Sequence, residues 1–310
     1  MTAANTTLRS ADPLGVHPHF RAGPDALTVA APAKLNLFLE IVRKRPDHYH
    51  DLESLMVAVD VFDTLELRAL PAGALSLTCE PGGLSAGPDN LVMRAAVALR
   101  DRANRPDLGA AIRLTKRIPM QAGLGGGSSD AAAALVGLNE IWKLALTREE
   151  LVAIASPIGS DVAFFLSLPA AWCTGRGEVT TPEPAAPGAL NFVLVFPPVG
   201  VSTPAVFKRL RVPPEPVRGE SVRAAFRAGS AEAVGRSLFN RLEAPAFEAE
   251  PLVGRIRGRL AGTVPAPCGV LMSGSGSTVF AVCRTRAHAL EVAEAFRNTR
   301  PADEPESRVL

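Results

Sequence analysis

Lysine is scarce in this chain: of 33 basic residues only Lys34, Lys44, Lys116, Lys143 and Lys208 are lysines. Any lysine inside an apolar strand therefore stands out. A surplus of positive charge is also missing, because 31 acidic residues leave a formal net charge of +2. That balance excludes a nucleic-acid binder held mainly by a basic surface. Tyrosine occurs once, at Tyr49. Four cysteines, Cys79, Cys173, Cys268 and Cys283, form no C-x-x-C pair and no cluster with the five histidines. This spacing argues against a zinc site and against a disulfide framework, and reads as free thiols in a reducing compartment. No stretch of about 18 uncharged apolar residues occurs, so no membrane helix is expected. The first 26 residues carry Arg9, Asp12, Arg21 and Asp25 with no apolar h-region, which is unlike a signal peptide. Residues 1–26 read as a disordered leader, and the protein as cytoplasmic.

Apolar residues make up 47% of 310, enough for two modest domains. The pattern places a short strand at Leu27–Ala30, interrupted by Pro32, and a second strand from Lys34 to Val42. Alternation puts Leu35, Leu37, Leu39 and Ile41 on one face and Lys34, Asn36, Phe38 and Glu40 on the other. Separate strands follow at Leu55–Val59 and Asp63–Leu67. Helical periodicity runs from Asn90 to Arg102, with Asp89 or Asn90 able to cap its start, and Thr147 opens a further helix with Glu149 and Glu150 in its first turn. Pro182–Pro187 reads as a linker. Strands and helices mix without a strict βαβ rhythm, which predicts an α+β fold.

The strongest chemical signal is Pro119-Met120-Gln121-Ala122-Gly123-Leu124-Gly125-Gly126-Gly127-Ser128-Ser129, followed by an alanine-rich helix. Missing Cβ atoms let backbone N–H groups approach an anion, and the helix that follows aims its positive end at the same point. A Walker A loop is excluded because no lysine follows the glycines, and a dinucleotide fingerprint fails on spacing. A flexible linker is the bland alternative, but linkers rarely join an apolar strand to an apolar helix.

Three weaker signals accompany the loop. Lys34, in Ala33-Lys34-Leu35-Asn36-Leu37, must reach solvent by snorkelling or meet an anion. Asp161, in Gly159-Ser160-Asp161-Val162, is either a helix cap or a functional carboxylate. Ser273-Gly274-Ser275-Gly276 is either a plain hairpin turn or part of a site.

In combination and in this order the four motifs resemble the galactokinase–homoserine kinase–mevalonate kinase–phosphomevalonate kinase (GHMP) superfamily. Tyr49-His50 ahead of Leu52-Glu53-Ser54-Leu55 resembles the branch whose alcohol substrate carries a cytidylyl group. The resemblance covers about residues 27–290. It implies a two-domain α+β GHMP kinase fold: an N-terminal ATP-binding domain (27–186) like domain 2 of ribosomal protein S5, and a ferredoxin-like C-terminal GHMP kinase domain (187–310). It implies a catalytic pair, Lys34 and Asp161, with Asp161 taking the substrate hydroxyl proton. Pro119 to Ser129 would cradle the phosphates of ATP, with Mg²⁺ bridging them through ligands the sequence does not name. Tyr49 and Phe207 would sandwich a cytosine ring, His50 would hydrogen-bond its edge and Asn36 would help position the substrate.

The partners implied are ATP and a small cytidylyl alcohol, with neither nucleic acid nor membrane, in a monomer or homodimer. An acceptor such as mevalonate or homoserine, or a non-catalytic nucleotide-binding paralogue, is the alternative. Two positions depart from the family pattern: His48 stands where glycine is usual, and Arg241 where aspartate is usual, in Asn240-Arg241-Leu242-Glu243.

Overall fold

A computed structural model describes residues 20–22, 26–184, 188 and 190–310. The leader assigned to 1–26 lies outside the described residues except for 20–22 and 26. The end of the 182–187 linker and the 186/187 boundary lie outside them as well.

The first elements are β1 (Phe20–Ala22), β2 (Leu27–Lys44), β3 (His50–Leu70), β4 (Leu75–Glu80), α1 (Leu91–Arg102), β5 (Gly109–Thr115) and α2 (Gly126–Ile141). Next come α3 (Arg148–Ala155), α4 (Val162–Phe165), β6 (Ala170–Thr174), β7 (Val179–Pro182), β8 (Asn191–Phe196), α5 (Thr203–Arg209), α6 (Glu220–Arg227) and α7 (Ala231–Ser237). The chain continues through β9 (Phe239–Asn240), α8 (Glu243–Ala249), α9 (Pro251–Ala261), β10 (Gly269–Met272), β11 (Val279–Cys283), α10 (Arg286–Asn298) and β12 (Arg308–Val309). The mixture is α+β, as the sequence pattern predicts.

Two of the sequence-based boundaries are corrected. Pro32 does not interrupt its strand: β2 runs unbroken from Leu27 to Lys44. β1 pairs with Leu27–Val29 and β9 with Phe38–Leu39, so Pro32 falls between the stretches that these two strands pair with. The two strands read at Leu55–Val59 and Asp63–Leu67 are likewise one strand, β3. Helix α8 has no counterpart in the sequence reading.

The described chain forms two compact units. The first takes in the described residues up to Ala33, with Ala58–Ile118 and Gly125–Leu168; the second takes in Lys34–Val57, Pro119–Leu124 and the described part of Pro169–Leu310. In the first unit the strand order is β1-β2-β3-β5-β4, with β5 antiparallel to β3 and parallel to β4. Helix α2 is its centre, with every residue from Ser129 to Asn139 buried. Close approach explains the run of small residues. A Cβ on Gly137 would lie 2.7 Å from a Leu67 methyl and 3.1 Å from Val29. Asn90 caps α1 through the Val92 N–H, and Thr147 with Glu150 forms a capping box on α3, as the sequence predicts.

In the second unit β9 runs parallel to β2, β6 antiparallel to β3, and β7 antiparallel to β6. A separate antiparallel sheet has the order β10-β11-β8-β12. Its core joins Val193, Val195, Val279 and Ala281 to Ile256 and Leu260 of α9 and Val292 and Phe296 of α10, the ferredoxin-like part that the resemblance implies. Leu39 and Ile41 of β2 belong to the same core. The other face of β2 is buried too, with Phe38 against Trp172 and Phe239, each at 5.7 Å between ring centroids.

Candidate active site

The glycine loop is a succession of turns. Gln121, Gly123 and Gly125 have φ of +53°, +74° and +70°. Gly123 cannot be anything larger, since a Cβ there would lie 2.1 Å from the Ser273 carbonyl oxygen. Gly125 is the N-cap of α2 and has no side chain to cap with. The first-turn N–H groups of Gly126, Gly127 and Ser128 therefore have no side-chain cap, the arrangement that suits an anion.

The base of this loop is closed by two buried carboxylates, Asp63 and Asp130, and the half-buried Lys116. Lys116 Nζ bonds Asp63 Oδ2 and lies 2.7 Å from Asp130 Oδ2. The other Asp63 oxygen accepts the backbone N–H groups of Arg117 and Ile118. Burial raises Asp130 to about 7, outweighing the pull of Lys116 in the other direction. Lys116 itself is lowered by burial but raised more by its two carboxylates, and ends above the usual lysine value.

Lys34 is buried, 3% exposed, so snorkelling is excluded. Its Nζ donates to Asn36 Oδ1 at 2.5 Å, and Asn36 Nδ2 donates to Ser54 Oγ at 2.8 Å. The Lys34 N–H donates to the Leu124 carbonyl, which fastens the strand to the glycine loop. The Ser273–Gly276 turn meets both. Ser273 Oγ donates to the Gly123 carbonyl at 3.0 Å, the Thr278 N–H donates to the Ala122 carbonyl, and a Cβ on Gly274 would lie 3.3 Å from Lys34 Nζ.

Asn240 and Glu243 hold that turn in place. Asn240 Nδ2 donates to the carbonyls of Met272 and Gly274, both at 2.8 Å, while Oδ1 accepts the Leu242 N–H. Glu243 Oε1 accepts the Met272 N–H at 2.9 Å. The unusual Arg241 forms a two-pronged pair with buried Glu40, at 2.8 and 2.7 Å.

His48 adopts φ of +67°, so it takes the left-handed conformation for which glycine is usual. The turn is held by Tyr49 N–H to Asp47 Oδ1 and by Arg45 N–H to the Tyr49 carbonyl. Side-chain bonds from Arg45 hold the Asp47 and Asp51 carboxyls below their usual range. Tyr49 is 55% exposed. His50 packs on Phe207 at 5.0 Å between centroids, and burial lowers its pKa.

Asp161 is the N-cap residue of α4, with φ −87° and ψ −5°, and its side chain makes no capping bond. Its segment adjoins the glycine loop: a Cβ on Gly159 would lie 3.8 Å from Ser128 Oγ. Asp161 and Gly125–Ser129 belong to the first unit; Lys34, Asn36, Tyr49, His50, Phe207 and Pro119–Leu124 belong to the second. Lys116 was missed in the sequence. Its signal was a rare lysine three residues ahead of the loop, with an aspartate directly after it.

This set of features defines a class. The family model for the GHMP kinases N terminal domain matches residues 90–167, and that for GHMP kinases C terminal matches residues 222–302. A 4-diphosphocytidyl-2-C-methyl-D-erythritol kinase of Pelotomaculum thermopropionicum is 41% identical, covering 88% of this chain and 94% of the relative. A crystal structure of 4-(cytidine 5′-diphospho)-2C-methyl-D-erythritol kinase superposes with a TM-score of 0.72 at 35% identity, over 91% of this chain and 97% of that one. A homoserine kinase from Cytophaga hutchinsonii reaches the same TM-score at 19% identity, covering 94% of this chain and 96% of that one, and so shares the fold. The chain belongs to the 4-diphosphocytidyl-2-C-methyl-D-erythritol kinase family of the GHMP kinases.

Proposed function

We propose that this chain transfers the γ-phosphoryl group of ATP to a hydroxyl of 4-diphosphocytidyl-2-C-methyl-D-erythritol. The products are the 2-phosphate and ADP, in the non-mevalonate route to isoprenoid precursors. One observation carries the choice of acceptor: Tyr49 is exposed next to His50, and His50 is packed on Phe207. Aromatic faces and an imidazole edge suit a cytosine ring, and mevalonate and homoserine have no group that needs them.

Phosphoryl transfer depends on positioning and on neutralising charge more than on covalent help. The segment Pro119 to Ser129 cradles the triphosphate, through the backbone N–H groups of its glycines and the Ser128 hydroxyl. Asp161, at the N-cap of α4 and in a segment that adjoins the glycine loop, takes the proton of the attacking hydroxyl. Lys34 neutralises charge as it develops, and Asn36 orients Lys34 and the acceptor. Tyr49 and Phe207 hold the base, and His50 bonds its edge.

Mg²⁺ fits the oxygen donors on the nucleotide's side of the site. The Ser128 hydroxyl would give the ion one hard ligand, and magnesium in kinases takes most of its remaining ligands from phosphates and water. When bound, the ion neutralises phosphate charge. We read residues 27–186 as the ATP-binding domain and 187–310 as the C-terminal kinase domain of a cytoplasmic monomer or homodimer. No helix among the described residues is long and apolar enough to cross a membrane.

The test is a coupled ADP-release assay over the cytidylyl alcohol, mevalonate and homoserine. Turnover is expected with the first alone. Turnover on mevalonate without the cytidylyl alcohol overturns the proposal.

A further inference from the structure

Arg176 has no role in the site as described so far. It sits in Gly175-Arg176-Gly177, the turn between β6 and β7, with both glycines at positive φ. The turn is anchored on both sides. Gly177 N–H donates to the Thr174 carbonyl, and Leu52 N–H, two residues beyond His50, donates to the Gly175 carbonyl at 2.7 Å. Glu178 then fixes the arginine itself: its Oε2 accepts the Arg176 N–H at 2.6 Å, and its Oε1 lies 3.5 Å from Arg176 Nε. The register of β3 against β6, Ser54 opposite Cys173, extends the same attachment along the strands.

The result is a guanidinium whose central carbon stands 5.0 Å from the centre of the Tyr49 ring. Tyr49 is otherwise an exposed ring on a polar turn. Hydrogen bonds of the turn fix its backbone and leave the side chain to rotate about two torsions. A planar cation over one face restrains the ring and leaves the opposite face open to a second flat group. The next residue, His50, is restrained by a different contact, a tilted packing of its ring on Phe207.

We propose that Arg176 is a positioning residue for the cytidylyl substrate, acting through Tyr49 by holding that ring in the orientation in which it stacks on the base. The proposal rests on the reading of Tyr49 as a base-binding residue. Arg176 is not asked to touch ATP or the transferred phosphoryl group, so its effect belongs to one substrate.

Steady-state kinetics of the full chain with 4-diphosphocytidyl-2-C-methyl-D-erythritol and ATP, on Arg176→Ala, Tyr49→Ala and the double variant, separates these roles. Arg176→Ala is expected to raise KM for the cytidylyl alcohol about two- to fivefold. KM for ATP and kcat stay as they are. Tyr49→Ala is expected to raise the same KM about tenfold. The double variant is expected to match Tyr49→Ala alone, because nothing remains for the arginine to hold.

A double variant whose KM is the product of the two single effects overturns action through Tyr49. An unchanged KM in Arg176→Ala, beside a raised one in Tyr49→Ala, overturns the inference and leaves the base-binding reading intact. An unchanged KM in Tyr49→Ala overturns that reading itself. The sole tyrosine gives an independent readout: ¹³C-tyrosine labelling yields one ring system. Its signal in the free protein is expected to move in Arg176→Ala, and cytidine 5′-diphosphate is expected to shift it at lower concentration in the wild type than in the variant. An unmoved ring signal counts against the stack.

Discussion

Lys116 and Asp130 face each other across the base of the glycine loop, with Nζ 2.7 Å from Oδ2. One lies three residues before Pro119 and the other directly follows Ser129. Their contact, with Asp63 completing the group, ties together the residues that flank the glycine-rich segment. Two buried carboxylates share one cation there, so ionising both is costly.

That cost gives a pH signature. Burial raises Asp130 to about 7, from an ordinary value of 3.8. The contribution of this group to stability is fully present below about pH 4 and is lost as pH rises through 7. Asp130→Asn removes the titration. Between pH 4.5 and 7.5 the wild type is expected to lose up to about 3 kcal/mol relative to the variant, read from denaturant unfolding at each pH. Parallel curves for the two proteins refute the assignment.

Gly123→Ala is expected to damage nucleotide use. The new Cβ would lie 2.1 Å from the Ser273 carbonyl at a φ of +74°, so the loop or the turn must shift. Strain of this kind costs about 1–3 kcal/mol, and kcat/KM for ATP is expected to fall by about tenfold or more. ADP-release kinetics at varied ATP measures it, and a variant with wild-type kcat/KM refutes the tight contact.

Asp161→Asn separates chemistry from binding. A lost proton acceptor is expected to lower kcat by roughly 10²- to 10⁴-fold. ATP affinity, measured by nucleotide titration, is expected to hold. A variant with unimpaired turnover removes Asp161 from the mechanism.

Arg241→Ala leaves the carboxylate of Glu40, which is 0% exposed, without its two-pronged partner. Such a break is expected to cost about 3 kcal/mol in denaturant unfolding. Adding Glu40→Gln is expected to recover part of the loss: it removes the buried charge, but an amide can accept only one of the two N–H groups, of Ile41 and Val217, that the carboxylate accepts. If the double variant is no more stable than Arg241→Ala alone, the pair is not what Arg241 supplies.

What the sequence made legible was local. The glycine run, the apolar helix behind it, the Asn90 cap and the Thr147 capping box all rest on neighbours within a few positions. Lys34 could be recognised as anomalous, but whether it snorkelled could not be read, because β2 alternates as if one face were open. Only the partners of that face, Trp172 and Phe239, show both sides to be covered. Glu40 and Arg241 are 201 positions apart and Lys116 and Asp63 are 53 apart. Pairings at that range are fixed by topology, and no periodicity announces them. Arg176 lay hidden for the same reason: its glycines predict a turn, while the tyrosine it covers belongs to another segment.

The alanines at 131–134 and the bare backbone at Gly137 leave α2 without side-chain bulk where it meets Leu67 and Val29. Larger cores absorb a substitution by rotating side chains, and here there are few to rotate. A methyl group added at Leu67 would press on Gly137 and displace the helix as a rigid body, moving Gly126 and Ser128 at its start. Under the proposed function, alignment of the reactive phosphorus depends on apolar residues far from the chemistry, and drift in those residues is expected to be felt first as slower turnover.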